Sequence, residues 1–123
     1  SSESRFKTYD DSSMSHWSLK KVAECAKKQK RLILSAFDAL KPGGTMMYCT
    51  CSYAPEENEK VVDHLLKRRD TASVLPAKLP IQNHSQGITE WAEKTLNPEC
   101  EKTLRVWPTT EMDGFFLALI RKQ

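Results

Sequence analysis

The feature that most constrains this chain is the stretch from Leu40 to Glu59, where a helix stop, an apolar run and a helix start follow one another. Pro42-Gly43-Gly44 ends a helix, because Pro cannot continue one and Gly accepts the left-handed backbone of a helix end. Thr45 to Cys51 is uncharged and has the length of a buried strand. After Ser52, Pro55 suits a first helical position, and Glu56, Glu57 and Glu59 suit the first turns of a helix running from about Pro55 to Arg69. Cys51 therefore falls where a strand ends and a loop begins. In open α/β sheets ligands bind at that edge.

The flanking segments follow the same rhythm. Leu19, Val22, Ala23, Ala26, Ile33, Phe37 and Leu40 fall at helical spacing, with Ser15 or Ser18 placed to cap the helix. Ser1 to Ser15 is polar and reads as an exposed loop reaching toward a substrate. Beyond the central run, Val61, Val62, Leu65 and Leu66 form the apolar stripe of the second helix, with His64 at its boundary. Helix, buried strand, helix is an α/β pattern. Residues 70–102 are irregular, with a short strand at Thr71–Leu75, breaks at Pro76, Pro80 and Pro98, and a short helix around Trp91 between Gly87 and Thr95. Thr103–Trp107 alternates as a strand, Pro108 closes it, and Asp113-Gly114 turns the chain into the apolar strand Phe115–Ile120. The short connection predicts antiparallel pairing, and a strand apolar on both faces belongs inside a sheet.

A length of 123 residues predicts one small domain, and 39% hydrophobic with 28% charged residues is ordinary for a soluble protein. No apolar run approaches a bilayer span, and the Ser-rich start has no signal-peptide core, so no membrane association is expected and a cytoplasmic setting with reduced thiols is. The first residue is Ser, and the expectation is a piece of a longer protein. A net charge of +3 fits an ordinary basic surface better than a nucleic-acid patch. The four cysteines, Cys25, Cys49, Cys51 and Cys100, have no zinc-knuckle spacing, so no metal is expected. By position alone Cys51 reads as a small buried residue at a strand end. Cys49 precedes it on the same strand face and reads as core, whereas Cys25 and Cys100 read as incidental.

The residues carry a resemblance. A helix followed by Leu40-Lys41-Pro42-Gly43-Gly44 and a buried strand resembles the fourth helix and fifth strand of Rossmann-like S-adenosylmethionine-dependent methyltransferases. Thr50-Cys51-Ser52 with Pro55-Glu56-Glu57-Asn58-Glu59 is more specific. It resembles the catalytic-cysteine motif of the Nop–Sun (RsmB/RsmF-like) family of RNA cytosine-5 methyltransferases. Arg105-Val106-Trp107-Pro108 and Asp113-Gly114-Phe115-Phe116 resemble that family's last two strands. The resemblance runs from about Trp17 to Lys122 and is thinnest over 70–102. Thr109 stands where members often carry His, and the following connection is short. The chain has Gly43, Gly44, Gly87 and Gly114 but no Gly-x-Gly, and it lacks the family's upstream Pro-Cys motif. The resemblance thus implies that residues 1–123 are the C-terminal part of the catalytic domain. The front half, with the cofactor loop, is then absent and becomes a required partner. The implied fold is α/β, a partial Rossmann-like sheet.

The resemblance also implies a chemistry. In the family a cysteine thiolate adds to carbon 6 of cytosine and activates carbon 5 for methylation from S-adenosylmethionine. Cys suits this step because its thiolate both attacks and leaves well. Cys51 matches that nucleophile, and the absent upstream Cys would assist elimination. Thr50 and Ser52 either hydrogen-bond the base or shape the turn. Asn58 and Glu59 stabilise the helix start that positions Cys51. No residue of the chain matches a cofactor-binding position. The implied partner is RNA, ribosomal or transfer, with phosphates contacted by Lys27, Lys28 and Arg31 or by Lys67, Arg68 and Arg69, each set equally readable as a solvated face. The missing glycine loop supports a rival reading, a non-catalytic RNA-binding or assembly module on the same fold. A third reading keeps the methyltransferase but gives it DNA or protein as substrate.

Overall fold

A computed structural model describes residues 18–123, so the expected loop Ser1–Ser15 and the capping role of Ser15 lie outside the described residues. The elements in order are α1 (Leu19–Ala39), β1 (Thr45–Thr50), α2 (Glu59–Arg68), β2 (Ala72–Leu75), β3 (His84–Gln86), β4 (Glu90–Trp91), β5 (Lys94–Thr95), a 3-10 helix (Pro98–Lys102), β6 (Leu104–Val106) and β7 (Phe115–Lys122). Ser18 caps α1, its hydroxyl accepting from the Lys21 amide at 3.1 Å.

β7 is the spine of the sheet. Along one edge it pairs with all of β1, from Thr45 opposite Arg121 to Thr50 opposite Phe116. Along the other it pairs with β2 (Val74 opposite Ile120) and, nearer its start, with β6 (Arg105 opposite Phe116). β3 continues the sheet beyond β6. Both β1 and β2 are antiparallel to β7, so they run parallel to each other and α2 connects them as a crossover. The expected antiparallel pair and the interior position of the last strand are therefore present.

The double-sided apolarity of β7 has a direct cause. Phe116, Ala118 and Ile120 face the helices and pack with Ile33 and Phe37 of α1 and Val61, Val62 and Leu65 of α2. Leu117, with Phe115 and Leu119, faces the opposite side and packs with Ala77, Leu104 and Val106. Cys100 joins the helix-side core as a fully buried residue.

Four expectations are corrected. β1 was expected to be buried but alternates between exposed and half-buried residues, with Met47 61% exposed. It is paired on one edge only among the described residues, and its outer side chains meet no second layer there. Cys49 shares that outer side and is exposed rather than core. The region around Trp91 is a hairpin, β4 with β5, closed by Ala92 and Glu93 at φ 51° and 65°, the left-handed pair of a tight hairpin turn. Finally, α2 starts at Glu59 instead of Pro55, and α1 ends at Ala39, ahead of Pro42-Gly43-Gly44. Gly43, at φ 82°, forms the turn into β1, where its amide donates to the Lys122 carbonyl at 2.7 Å. The end of α1 is satisfied from a distance, because the Lys122 ammonium donates to the Leu40 carbonyl at 2.8 Å.

Candidate active site

Cys51 is exposed immediately after β1, at the end of the sheet where the N-terminus of α2 also lies. The backbone around it is held by side chains. Thr50 donates its hydroxyl to the Asn58 side-chain carbonyl, and the Ser52 amide donates to Thr50 Oγ1 at 3.2 Å. Asn58 Nδ2 donates to the Ser52 carbonyl at 2.7 Å. Ser52 is buried; its hydroxyl donates to Glu57 Oε2 at 2.8 Å and accepts from the Ala54 amide at 3.0 Å. These bonds explain the delayed start of α2: side chains of Ser52, Glu57 and Asn58 offer the loop an alternative to helical pairing.

A second tier holds the first. Glu57 is fully buried; its Oε1 accepts from Gln29 Nε2 of α1 at 3.1 Å, and its backbone carbonyl accepts from the Tyr48 hydroxyl at 2.7 Å. Burial, followed by the nearby Glu57 charge, pushes the Tyr48 phenol well above its ordinary range, so it serves as a donor. Glu59, also fully buried, receives Arg105 Nε and Nη2, each at 2.6 Å, in a two-pronged ion pair, and accepts from the Ile88 amide at 3.0 Å. Arg105 Nη1 then donates to the Tyr53 carbonyl at 2.9 Å, linking β6 to the residue two beyond Cys51. The Tyr53 ring lies against Trp107 with centroids 5.8 Å apart. Gly114 lets this ring approach, since a Cβ there would sit 2.7 Å from the Tyr53 hydroxyl.

Thr50, Ser52, Asn58 and Glu59 are thus brought together around Cys51. The Thr50 and Ser52 hydroxyls both hydrogen-bond inside the loop, Thr50 to Asn58 and Ser52 to Glu57. Although Cys49 is exposed as a residue, partial burial of its thiol, followed by the nearby Cys51, pushes that thiol up. Burial also pushes Cys100 up, to about 12, with the Asp63 and Glu59 charges adding to the effect. Gln29, Glu57 and Arg105 were missed as members of the site. Arg105 carried a signal, a cation between Leu104 and Val106 in an otherwise apolar strand, which calls for a buried anion. Among the described residues no cluster of His, Cys, Asp or Glu could hold a metal ion, and no helix is long and apolar enough to cross a membrane.

A crossover α2 between parallel β1 and β2, an antiparallel β7 between them and a cysteine loop at the strand end define part of a Rossmann-like methyltransferase fold. The relatives agree. Residues 13–121 match the family described as 16S rRNA methyltransferase RsmB/F, and the chain belongs to that family. It is 43% identical over 107 residues to a tRNA (cytosine(49)-C(5))-methyltransferase of Pyrococcus abyssi, covering 86% of this chain and 34% of the relative. It is 43% identical over 108 residues to a human 28S rRNA (cytosine(4447)-C(5))-methyltransferase, covering 84% of this chain and 13% of the relative. A crystal structure of a methyltransferase homologue from Pyrococcus horikoshii superposes with a TM-score of 0.77 at 34% identity, covering 88% of this chain and 34% of that one. NSun6 from Pyrococcus horikoshii, solved with SFG, superposes with a TM-score of 0.64 at 25% identity, covering 87% and 24%. The chain spans about a third or less of the length of these relatives.

Proposed function

We propose that this chain is the C-terminal part of the catalytic domain of an RNA cytosine-5 methyltransferase, with Cys51 as its nucleophile. The observation that carries the reading is the hydrogen-bonded loop Thr50–Glu59, which presents an exposed Cys51 at the strand end of a Rossmann-like sheet. Membership of the family and the names of its relatives support ribosomal or transfer RNA as substrate. The solved relative with SFG, an analogue of S-adenosylmethionine, supports that cofactor. The chain's own glycines, the adjacent Gly43-Gly44 before β1 and the isolated Gly87 and Gly114, make no Gly-x-Gly loop of the kind that cradles a cofactor. Binding of S-adenosylmethionine, which supplies the methyl group, falls to residues outside this segment.

Carbon 5 of an aromatic cytosine is a poor nucleophile. Addition of the Cys51 thiolate to carbon 6 forms a sulfur–carbon bond and moves the carbon 5–carbon 6 π electrons into the ring, leaving carbon 5 enamine-like. Once carbon 5 carries the methyl group, a base supplied by residues outside this segment takes the carbon 5 proton, the double bond re-forms and Cys51 departs as thiolate. Thr50, Ser52, Asn58 and the Arg105–Glu59 pair hold the loop so that Cys51 meets the ring edge of an unstacked base.

The test uses the full-length protein and RNA containing 5-azacytidine, whose ring nitrogen at position 5 blocks release of the enzyme. Wild type is expected to form a denaturant-resistant RNA adduct, and Cys51→Ser to form none. A Cys51→Ser protein trapped as well as wild type sinks the assignment.

A further inference from the structure

On the outer side of the helix layer a groove of about 420 Å³ runs between α1 and α2. Its floor is small and apolar, with Ala23, Ala26 and Leu34. Its walls carry Lys27, Lys30 and Arg31 from α1 and Lys60 and His64 from α2, against a single carboxylate, Glu56. Glu56 is part of the Thr50–Glu59 loop that carries Cys51, so one wall of the groove is continuous in the chain with the candidate active site. The sequence alone offered Lys27, Lys28 and Arg31 either as phosphate contacts or as a solvated helix face; Lys28 does not line the groove, and the fold adds Lys30, Lys60 and His64 to it.

Among the described residues none of Lys27, Lys30, Arg31 and Lys60 has an ion-pair partner, and only the charge of Asp63 offsets their mutual repulsion at Lys30 and His64. Asp63 itself is engaged by Lys67 at 2.8 Å and by the Asn97 amide at 2.8 Å. Arg69, another candidate from the sequence, is paired with Asp38 at 2.7 Å. The crowding is felt at the groups themselves. Burial, then Lys60 and Arg68, push the Lys30 ammonium down, and burial, Arg68 and Lys30 do the same to His64. An arrangement that repels itself when empty is relieved by a bound polyanion.

We propose that the α1–α2 groove is a phosphate-backbone site for RNA, with Lys27, Lys30, Arg31 and Lys60 as its contacts, guiding the strand toward Cys51. It deepens the methyltransferase reading and rests on it for the identity of the polyanion. Such a site contributes affinity without reading sequence, and its affinity depends on salt.

The experiment compares two triple variants of the full-length protein that carry the same change in charge. The groove variant is Lys27→Gln/Lys30→Gln/Lys60→Gln, and the control is Lys20→Gln/Lys21→Gln/Lys41→Gln, at exposed positions that do not line the groove. Binding of a fluorescent single-stranded RNA oligonucleotide is titrated over a range of salt. The groove variant is expected to bind about tenfold or more weakly at low salt. Its log–log salt dependence should be shallower by about 2, from three lost contacts at about 0.7 each. Its melting temperature should stay level or rise, since repulsion is removed. Equal losses in both triples, or no loss in the groove variant, overturn the proposal. So does competition by polyglutamate, or by inorganic phosphate at matched phosphate concentration, as effective as that by unlabelled RNA. The 5-azacytidine adduct separates the two readings. Wild-type trapping with an unimpaired groove variant removes the groove alone, and a groove effect with Cys51→Ser still trapped removes the Cys51 assignment alone.

Discussion

A thiol at a strand end adds usefully to a base only if its backbone stays in place, and here that restraint is polar rather than apolar. Ser52 is 1% exposed and its hydroxyl bridges the buried Glu57 carboxylate and the Ala54 amide. Ser52→Ala removes the hydroxyl that donates to the buried Glu57 Oε2, at a cost of about 1–3 kcal/mol for a lost buried hydrogen bond. In the full-length protein this variant is expected to lower the denaturant midpoint and to reduce kcat for methylation while leaving the RNA KM near wild type. A raised KM with unchanged kcat would instead place Ser52 in base binding. The cysteines differ in the same local way. Cys51 is exposed, whereas Cys100 is fully buried, donates to the Glu59 carbonyl at 3.6 Å and is pushed up to about 12. At mildly alkaline pH, brief iodoacetamide treatment followed by peptide mass mapping should therefore modify Cys51 and leave Cys100 intact until the protein is unfolded.

Between elements, the Arg105–Glu59 pair fastens β6 to the first residue of α2, and through Tyr53 to the loop between β1 and α2. Glu59 is 0% exposed and Arg105 7%, so removing one partner strands a buried charge. Arg105→Met is expected to cost about 3–5 kcal/mol, and the double variant Arg105→Met/Glu59→Leu to recover a large part of it, measured by urea unfolding of the full-length protein as a double-mutant cycle. A double variant as unstable as the single one would show that the pair's hydrogen bonds to Tyr53 and Ile88 matter more than its charge balance. The cycle also marks where the sequence stopped being readable. Helix α1, helix α2 and the β6–β7 pair were legible because their apolar periods are set by burial on one face or both. The start of α2 was not, since Pro55 and three glutamates promise a helix while Glu57 and Asn58 are used to tie the loop. The β4–β5 hairpin was invisible because Ala92 and Glu93 occupy turn positions that usually announce themselves with Asn or Gly. The placement of Cys51 at a strand end, with Thr50, Ser52 and Asn58 around it, was legible from the local pattern, whereas Arg105, 46 positions from Glu59, needed the sheet to bring it home.

For the molecule as a whole, the sheet ends on β1 in an arrangement that the rest of the proposed catalytic domain would complete. β1 is paired with β7 along one edge only among the described residues, and its outward side chains include Met47 at 61% exposure and the exposed Cys49. On α1, Leu19 and Leu32 are 73% and 66% exposed. An unpaired strand edge with apolar side chains recruits another strand, whether the intended one or a second copy. In the proposed full-length enzyme the front half of the domain occupies this edge; alone, residues 1–123 are expected to self-associate and to lack methyl transfer. Met47→Lys separates the two consequences. A lysine on an exposed edge strand opposes intermolecular pairing, so the isolated segment should become more monomeric by light scattering. In the full-length protein the same lysine is driven into the contact between the two halves, so stability and adduct formation on 5-azacytidine RNA should both fall. If Met47→Lys left the full-length protein as stable and as reactive as wild type, the front half would not be docking on this face of β1, and the assignment of these residues as half of one shared sheet would have to be withdrawn.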